Sequence, residues 1–205
     1  MPEFTALVDG YHRFRAGPYV DQKERFDLLA DAQSPPVMVI SCCDSRVDPA
    51  TVFDTVPGQV FALRNVANLV PPFENAPGLH GASAAIEFGV LGLDVRHIVV
   101  LGHARCGGIK AALSGAHLNG GGGFVDTWMT IIDEARNAVL KAGVIDTQDA
   151  LERAAIKVSL TNLRTFPYIA QREAKGILKL HGALFGIGDG ALHILDEVTG
   201  EFQIA

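Results

Sequence analysis

VMVISCCDSRVDPA, residues 37–50, begins as one kind of structure and ends as another. VMVIS, residues 37–41, is apolar and rich in β-branched side chains, which reads as a buried strand with Cys42 at its carboxyl end. Asp48 followed by Pro49 reads as a helix start, a capping oxygen and then a ring already set for the first turn. Between them stand Cys42, Cys43, Asp44 and Arg46. A packed core has no use for an arginine there, and neighbouring cysteines make strained disulfide partners. The turn after this strand therefore carries chemistry.

Working outward, QVFALRN (59–65) and HIVVLG (97–102) read as further strands. LHGASAAIEFGVLGL (79–93), small and apolar throughout, predicts a buried helix, and GGIKAALSG (107–115) predicts a helix that begins and ends on glycine. Strands alternating with helices predict an α/β fold, a mainly parallel central sheet flanked by helices. Ligands gather at the carboxyl ends of such strands, where Cys42 and His103 both sit. Phe4, Leu7, Val8 and Tyr11 share one face of an N-terminal helical arm, broken at Gly17–Pro18 and resumed by Phe26, Leu29 and Ala30. NGGGG (119–123) reads as a flexible connector, and Phe124 to about Leu180 as helical, with Pro167 opening the last segment. ALFGI, GDG and ALHIL then read as a hairpin, and EVTGEFQ as a further turn. The chain is expected to be a single domain, 1–205, made of an arm (1–32), a site-bearing core (33–118), and helices with a C-terminal hairpin (119–205).

Composition excludes several classes. A formal net charge of −6 with no basic stripe argues against nucleic-acid binding. No apolar run approaches the ~20 residues that cross a bilayer, and MPEFTALVDG lacks the basic start and apolar stretch of a signal peptide. The cytoplasm is the expected compartment. Three cysteines, an odd number, do not make a disulfide framework; in a reducing compartment they are ligands, nucleophiles or buried fillers.

GHARCGG (102–108) holds His103 and Cys106 three positions apart in a strand–turn–helix segment, so both can aim at one point. With Cys42 they form a sound donor set for Zn²⁺ that leaves a fourth position open, as catalytic zinc requires. A structural histidine beside a buried cysteine has the same spacing. Free N–H groups at the Gly107–Gly108 helix start can stabilise a neighbouring thiolate. Asp44 and Arg46, at alternate positions, are either a surface ion pair or a dyad in which Arg46 fixes Asp44 to accept a hydrogen bond from a water or hydroxide on the metal.

With CCDSRV, RNVANLVPP (64–72), AAIEFGV (84–90) and GHARCGGIKAAL (102–113) in place, the chain resembles the β-class carbonic anhydrases, closely from Gln33 to Leu113. The resemblance implies zinc ligands at Cys42, His103 and Cys106, one Zn²⁺ per chain, and a catalytic dyad at Asp44 and Arg46. It implies that zinc-bound hydroxide hydrates CO₂ to bicarbonate and a proton, in dimers or multiples of dimers whose N-terminal arm packs on the partner. It places Gln33, Phe61, Phe88 and Gly107 at the substrate pocket, with Gln33 reaching the other subunit's pocket and Phe88 replacing a tyrosine. From the residues alone Phe61 reads better as a core strand residue, and Gln33 also reads as a loop cap. Val66 and Leu79 are further candidates for its apolar wall. Where some members hold inhibitory bicarbonate with tryptophan, arginine and tyrosine, this chain has Val39, Arg64 and Phe185, so that lock is expected to be missing. Cys43 replaces the usual serine and reads as a small buried filler. His80 and His117 are proton-shuttle candidates by position only. The same metal set serves relatives that hydrolyse carbon disulfide or carbonyl sulfide; a non-catalytic zinc-stabilised sensor and a cysteine-nucleophile enzyme are the other readings.

Overall fold

The computed structural model describes residues 1–76, 78–117 and 120–205. Strands β1 (Val37–Cys42), β2 (Val60–Asn65), β3 (His97–His103) and β4 (Lys179–Phe185) run parallel. Strands β5 (Leu192–Leu195) and β6 (Phe202–Ile204) extend the sheet antiparallel beyond β4. The order across the sheet is β2-β1-β3-β4-β5-β6. This is the α/β architecture expected from the alternation of strands and helices. Ser41 pairs with Leu101 and Cys42 with Asn65, so β1, β2 and β3 end together on one edge.

The main core lies on the sheet face that carries Met38, Ile40, Ile98, Val100, Leu180 and Leu184. Helix α9 (Thr147–Leu163) lays a stripe of Ile156, Leu160 and Leu163 on that face, backed by Phe166 and by Ile169 of α10 (Pro167–Ala174). Glycines permit the approach: a Cβ on Gly102 or on Gly182 would come within 2.8 Å of Ile156. The opposite face is lined by Val39, Leu101 and Ala183, with Val47 from the loop after β1. Helix α4 (Pro49–Val52) starts as its sequence dictates, Asp48 accepting from the N–H groups of Ala50 and Thr51.

The arm is helical, in α1 (Pro2–Ala16), α2 (Pro18–Asp21) and α3 (Lys23–Asp31), and none of its residues is buried. Rings of Phe14, Tyr19 and Phe26 pack against one another within the arm. Phe4 and Leu7 remain 65% and 72% exposed.

Two expectations are corrected. The segment 79–93 is not a buried helix: α5 (Gly81–Glu87) passes into a π turn over Phe88–Gly92, and only Ile86, Gly89 and Val90 are buried. A face of Phe88 and Leu91 is left outside, because among the described residues no element covers that side of this alanine-rich segment. The helical stretch expected to reach Leu180 ends at Ala174; Gly176 turns the chain at φ +69°, and Leu180 lies in β4. The small residues of LHGAL hid the strand's alternation.

Between them, α6 (Gly107–Ser114), α7 (Phe124–Met129) and α8 (Asp133–Ala142) line the edge that carries the site. Asn119, where the expected connector begins, and the boundary drawn between 118 and 119 lie outside the described residues. Among the described residues, no helix is long and apolar enough to cross a membrane.

Candidate metal centre

Cys42 is the last residue of β1 and His103 the last of β3. Beyond β3 the chain reverses through Arg105, at φ +60°, and reaches Cys106, the cap of α6. One donor atom from each of Cys42, His103 and Cys106 lies within 4.8 Å of the others, and the two sulfurs are 4.0 Å apart. Two thiolates held ~2.3 Å from one tetrahedral ion would be separated by about 3.8 Å. All three residues are buried.

His103 shows what the group lacks. Its Nδ1 is 3.0 Å from the carbonyl oxygen of Ala104. That oxygen can only accept, so Nδ1 carries the proton and Nε2 presents a lone pair. Nε2 is buried and has no hydrogen-bond partner among the described residues. An imidazole lone pair facing two thiols is the soft donor set that zinc takes, and an uncompensated polar atom is costly in such a place. The residues fit a metal ion.

The thiols are poised for one. The Cys106 thiol hydrogen-bonds to Cys42 and, with the N–H groups of Asp44 and Ala67 behind it, pulls the Cys42 thiol below its ordinary value against the effect of burial. The Cys42 thiolate and burial push Cys106 up in turn. A divalent ion would take both sulfurs as thiolates.

Asp44 stands beside this group, its Oδ2 3.8 Å from His103 Nε2. Arg46 grips it as a fork, Nη2 to Oδ2 at 2.7 Å and Nε to Oδ1 at 2.9 Å, and the Arg46 amide also donates to Oδ1. The guanidinium holds the Asp44 carboxyl well below the usual carboxylate range. Nη2 of Arg46 also donates to the carbonyl of Arg105, the residue with the left-handed backbone. Arg64 braces the same loop from below, donating to the carbonyls of Cys42, Asp44 and Val47 and to the carboxylate of Asp48.

The 3₁₀ turn Val66–Asn68 carries consecutive left-handed residues, Ala67 at φ 60° and Asn68 at φ 50°. Such positions cost about 1–3 kcal/mol each unless their surroundings over-determine them. Here Trp128 Nε1 donates to Val66 O at 2.8 Å, Ser159 Oγ to Asn68 O at 3.2 Å, and Asn162 Nδ2 to Val70 O at 2.7 Å. The strained turn aims the Ala67 N–H at the Cys42 sulfur.

Other candidate residues fall elsewhere. Gly107 opens α6 next to Cys106, and a Cβ there would meet nothing within 4 Å. Gln33 is exposed beyond α3. The rings of Phe61 and Phe88 sit 5.9 Å apart. Phe61 precedes Asn65, the partner of Cys42, by four residues, or about 13 Å along the strand. Phe61 packs against the main core, as its reading as a core strand residue expects, and Phe88 is 52% exposed. Leu79, a candidate wall residue, is fully exposed. Cys43 is exposed, just beyond the end of β1, which corrects its reading as a buried filler. His80 is exposed, and His117, also exposed, pairs with Asp126 at 3.0 Å. A surface cavity of about 230 Å³ is lined by Asp48, Val56, Val60, Ala62 and Arg64.

Spacing gave no hint of Glu152 or Gln148, which hold the backbone of Cys106. A signal did exist, since Glu152 is a charged residue in the apolar stripe of α9, four positions before Ile156.

A strand-edge Cys–His–Cys group beside an Asp–Arg fork, on this sheet order, defines a class. The chain belongs to the β-class carbonic anhydrase family: a family model described as carbonic anhydrase matches residues 37–192. Beta carbonic anhydrase 5, chloroplastic, of Arabidopsis thaliana is 39% identical over 190 residues, covering 91% of this chain. The chain spans only 62% of that relative's length. A carbonic anhydrase of Synechocystis sp. is 33% identical over 200 residues, covering 96% of this chain and 72% of its own. The solved β-carbonic anhydrase CcaA superposes with a TM-score of 0.94 at 31% identity, over 100% of this chain and 93% of that one.

Proposed function

We propose that this chain catalyses the reversible hydration of CO₂ to bicarbonate and a proton, using one zinc ion held by Cys42, His103 and Cys106. The observation that carries this reading is the buried, unpartnered Nε2 of His103 facing two thiols, with a fixed carboxylate beside it. Bound there, zinc supplies a Lewis acid that brings the ionisation of water within reach of working pH.

The chain's own residues do the rest. Asp44 accepts a hydrogen bond from the attacking water, which turns its lone pair toward the substrate carbon and excludes ligands with no proton to give. Arg46 engages both Asp44 oxygens, so the carboxylate is held to this task and kept from serving as a fourth ligand. Gly107, lacking a side chain, leaves room for a small substrate at the α6 start.

Gln33, exposed in a single chain, reaches the pocket of a partner copy, where Phe61 and Phe88 supply apolar wall. The exposed face of α1 packs on that partner, making a homodimer the smallest working unit. Val39 and Phe185 belong to the apolar packing on the second sheet face, and Arg64 is engaged by backbone carbonyls and by Asp48, so bicarbonate does not lock the enzyme through a tryptophan–arginine–tyrosine set. We retain the cytoplasm as the working compartment, although the Arabidopsis relative is named chloroplastic.

Stopped-flow CO₂ hydration with and without a zinc chelator tests the proposal. Fast hydration abolished by the chelator and restored by zinc supports it. Sulfide release from carbon disulfide or carbonyl sulfide without fast CO₂ hydration would replace it.

A further inference from the structure

Glu152 is the one fully buried carboxylate among the described residues, with 4% of its surface exposed. Nothing in the chemistry above uses it. Burial holds its pKa above the usual carboxylate value, opposed by the hydrogen bonds it accepts. A chain does not place such a group in an apolar helix stripe without a strong partner.

Its partner is the metal centre's own backbone. Glu152 Oε1 accepts the N–H of Cys106 at 2.8 Å. One helical turn earlier on α9, Gln148 Nε2 donates to the same Oε1 at 2.9 Å and also reaches the Cys106 carbonyl oxygen at 3.4 Å. The two side chains therefore grip Cys106 on both its N–H and its C=O. Cys106 needs this grip. It follows the left-handed Arg105 and caps α6, so its own N–H has no helical partner. Without Glu152, that amide would be buried and unpaired, and the turn that aims Sγ at Cys42 would be free to relax.

We propose that Glu152, steadied by Gln148, is a positioning residue that fixes the Cys106 thiolate for metal binding through its backbone. This rests on the assignment of Cys106 as a ligand. Acceptor capacity at Oε1, rather than negative charge, is what the geometry uses.

The test compares Glu152→Ala, Glu152→Gln and Gln148→Ala with wild type and with Cys106→Ser, measuring zinc affinity by competition with a chromogenic chelator and the absorption spectrum of the cobalt-substituted protein. Glu152→Ala should bind zinc about 10–100-fold more weakly and shift the cobalt–thiolate bands. Glu152→Gln, which keeps an acceptor, should stay within about threefold of wild type, and Gln148→Ala should fall between. The proposal is overturned if Glu152→Ala, or Gln148→Ala should the former not fold, melts earlier yet binds zinc like wild type with unchanged bands. It is also overturned if Glu152→Gln is as impaired as Glu152→Ala. A Cys106→Ser protein that retains full zinc affinity would instead remove the ligand assignment itself.

Discussion

Asp44 and Arg46 face each other through two parallel hydrogen bonds, 2.7 and 2.9 Å long, and the carboxylate so held ends 3.8 Å from the orphaned nitrogen of His103. The geometry gives Asp44 two neighbours with opposite demands: an arginine that orients it and a metal site that would bind it. Replacing it with Asn preserves size and removes the charge. Asp44→Asn should retain its zinc and its fold while hydration falls by about 10² or more. Zinc analysis beside stopped-flow rates checks this, and loss of zinc together with activity would assign Asp44 to the metal shell instead.

Arg46→Lys tests the other half. A lysine cannot reproduce the fork, so Asp44 gains freedom to turn toward the ion. Activity should fall at least tenfold with zinc content unchanged. Wild-type rates in this variant would mean that the fork is only a surface ion pair.

The arm gives a prediction about assembly. Phe4 and Leu7 are largely exposed on one face of α1, and Tyr11 is 55% exposed beside them. A Phe4→Ser, Leu7→Asp double variant should lower the mass in light scattering to that of a single chain and lower activity with it. A fully active single chain would show that no pocket residue comes from a partner.

Packing under α9 sets a stability prediction. A Cβ on Gly182 would lie 2.8 Å from Ile156 and 3.1 Å from Leu195. Ile156 is a buried branched residue on a packed helix and cannot withdraw. Gly182→Ala should cost about 1–3 kcal/mol, lowering the melting temperature by roughly 2–4 °C per kcal/mol. An unchanged melting curve would contradict the close approach of α9 to β4.

At the far end of β3 from the candidate site, His97 Nδ1 and His181 Nε2 are 3.0 Å apart, within hydrogen-bond reach. Burial, then His97 and Lys179, hold the His181 pKa below its ordinary value. The unfolded chain therefore binds this proton first. The stability due to His181 is complete above about pH 6.5 and is lost as pH falls through the lower folded value. Melting curves of His181→Asn and wild type should converge as pH drops below that point. Curves that stay parallel from pH 8 to 5 would show that His181 does not titrate with folding.

The parallel sheet was legible because each of its first three strands is a short apolar run ending where polar chemistry begins, as in VMVIS before Cys42. The convergence of Cys42, His103 and Cys106 was legible because both halves sit at strand ends, and ends of neighbouring parallel strands meet. Other features depend on tertiary contact and leave little local trace. The left-handed turn at Ala67–Asn68 carries no glycine to announce it, since its stability comes from Trp128, Ser159 and Asn162, far along the chain. β4 was read as beginning too late because Gly182, needed for the approach of α9, interrupts the β-branched pattern. The exposure of Phe88 could not be read from composition, because an apolar segment looks the same whether its cover is this chain or another.

The central claim is that Cys42, His103 and Cys106 hold one ion together and leave a position for solvent. Zinc-edge X-ray absorption on protein carrying a measured zinc content tests it most directly. The account expects one zinc per chain with two sulfur neighbours at about 2.3 Å and two lighter ones at about 2.0–2.1 Å, one of these being imidazole. A shell with no sulfur, one with four sulfurs, or active protein without zinc would contradict it.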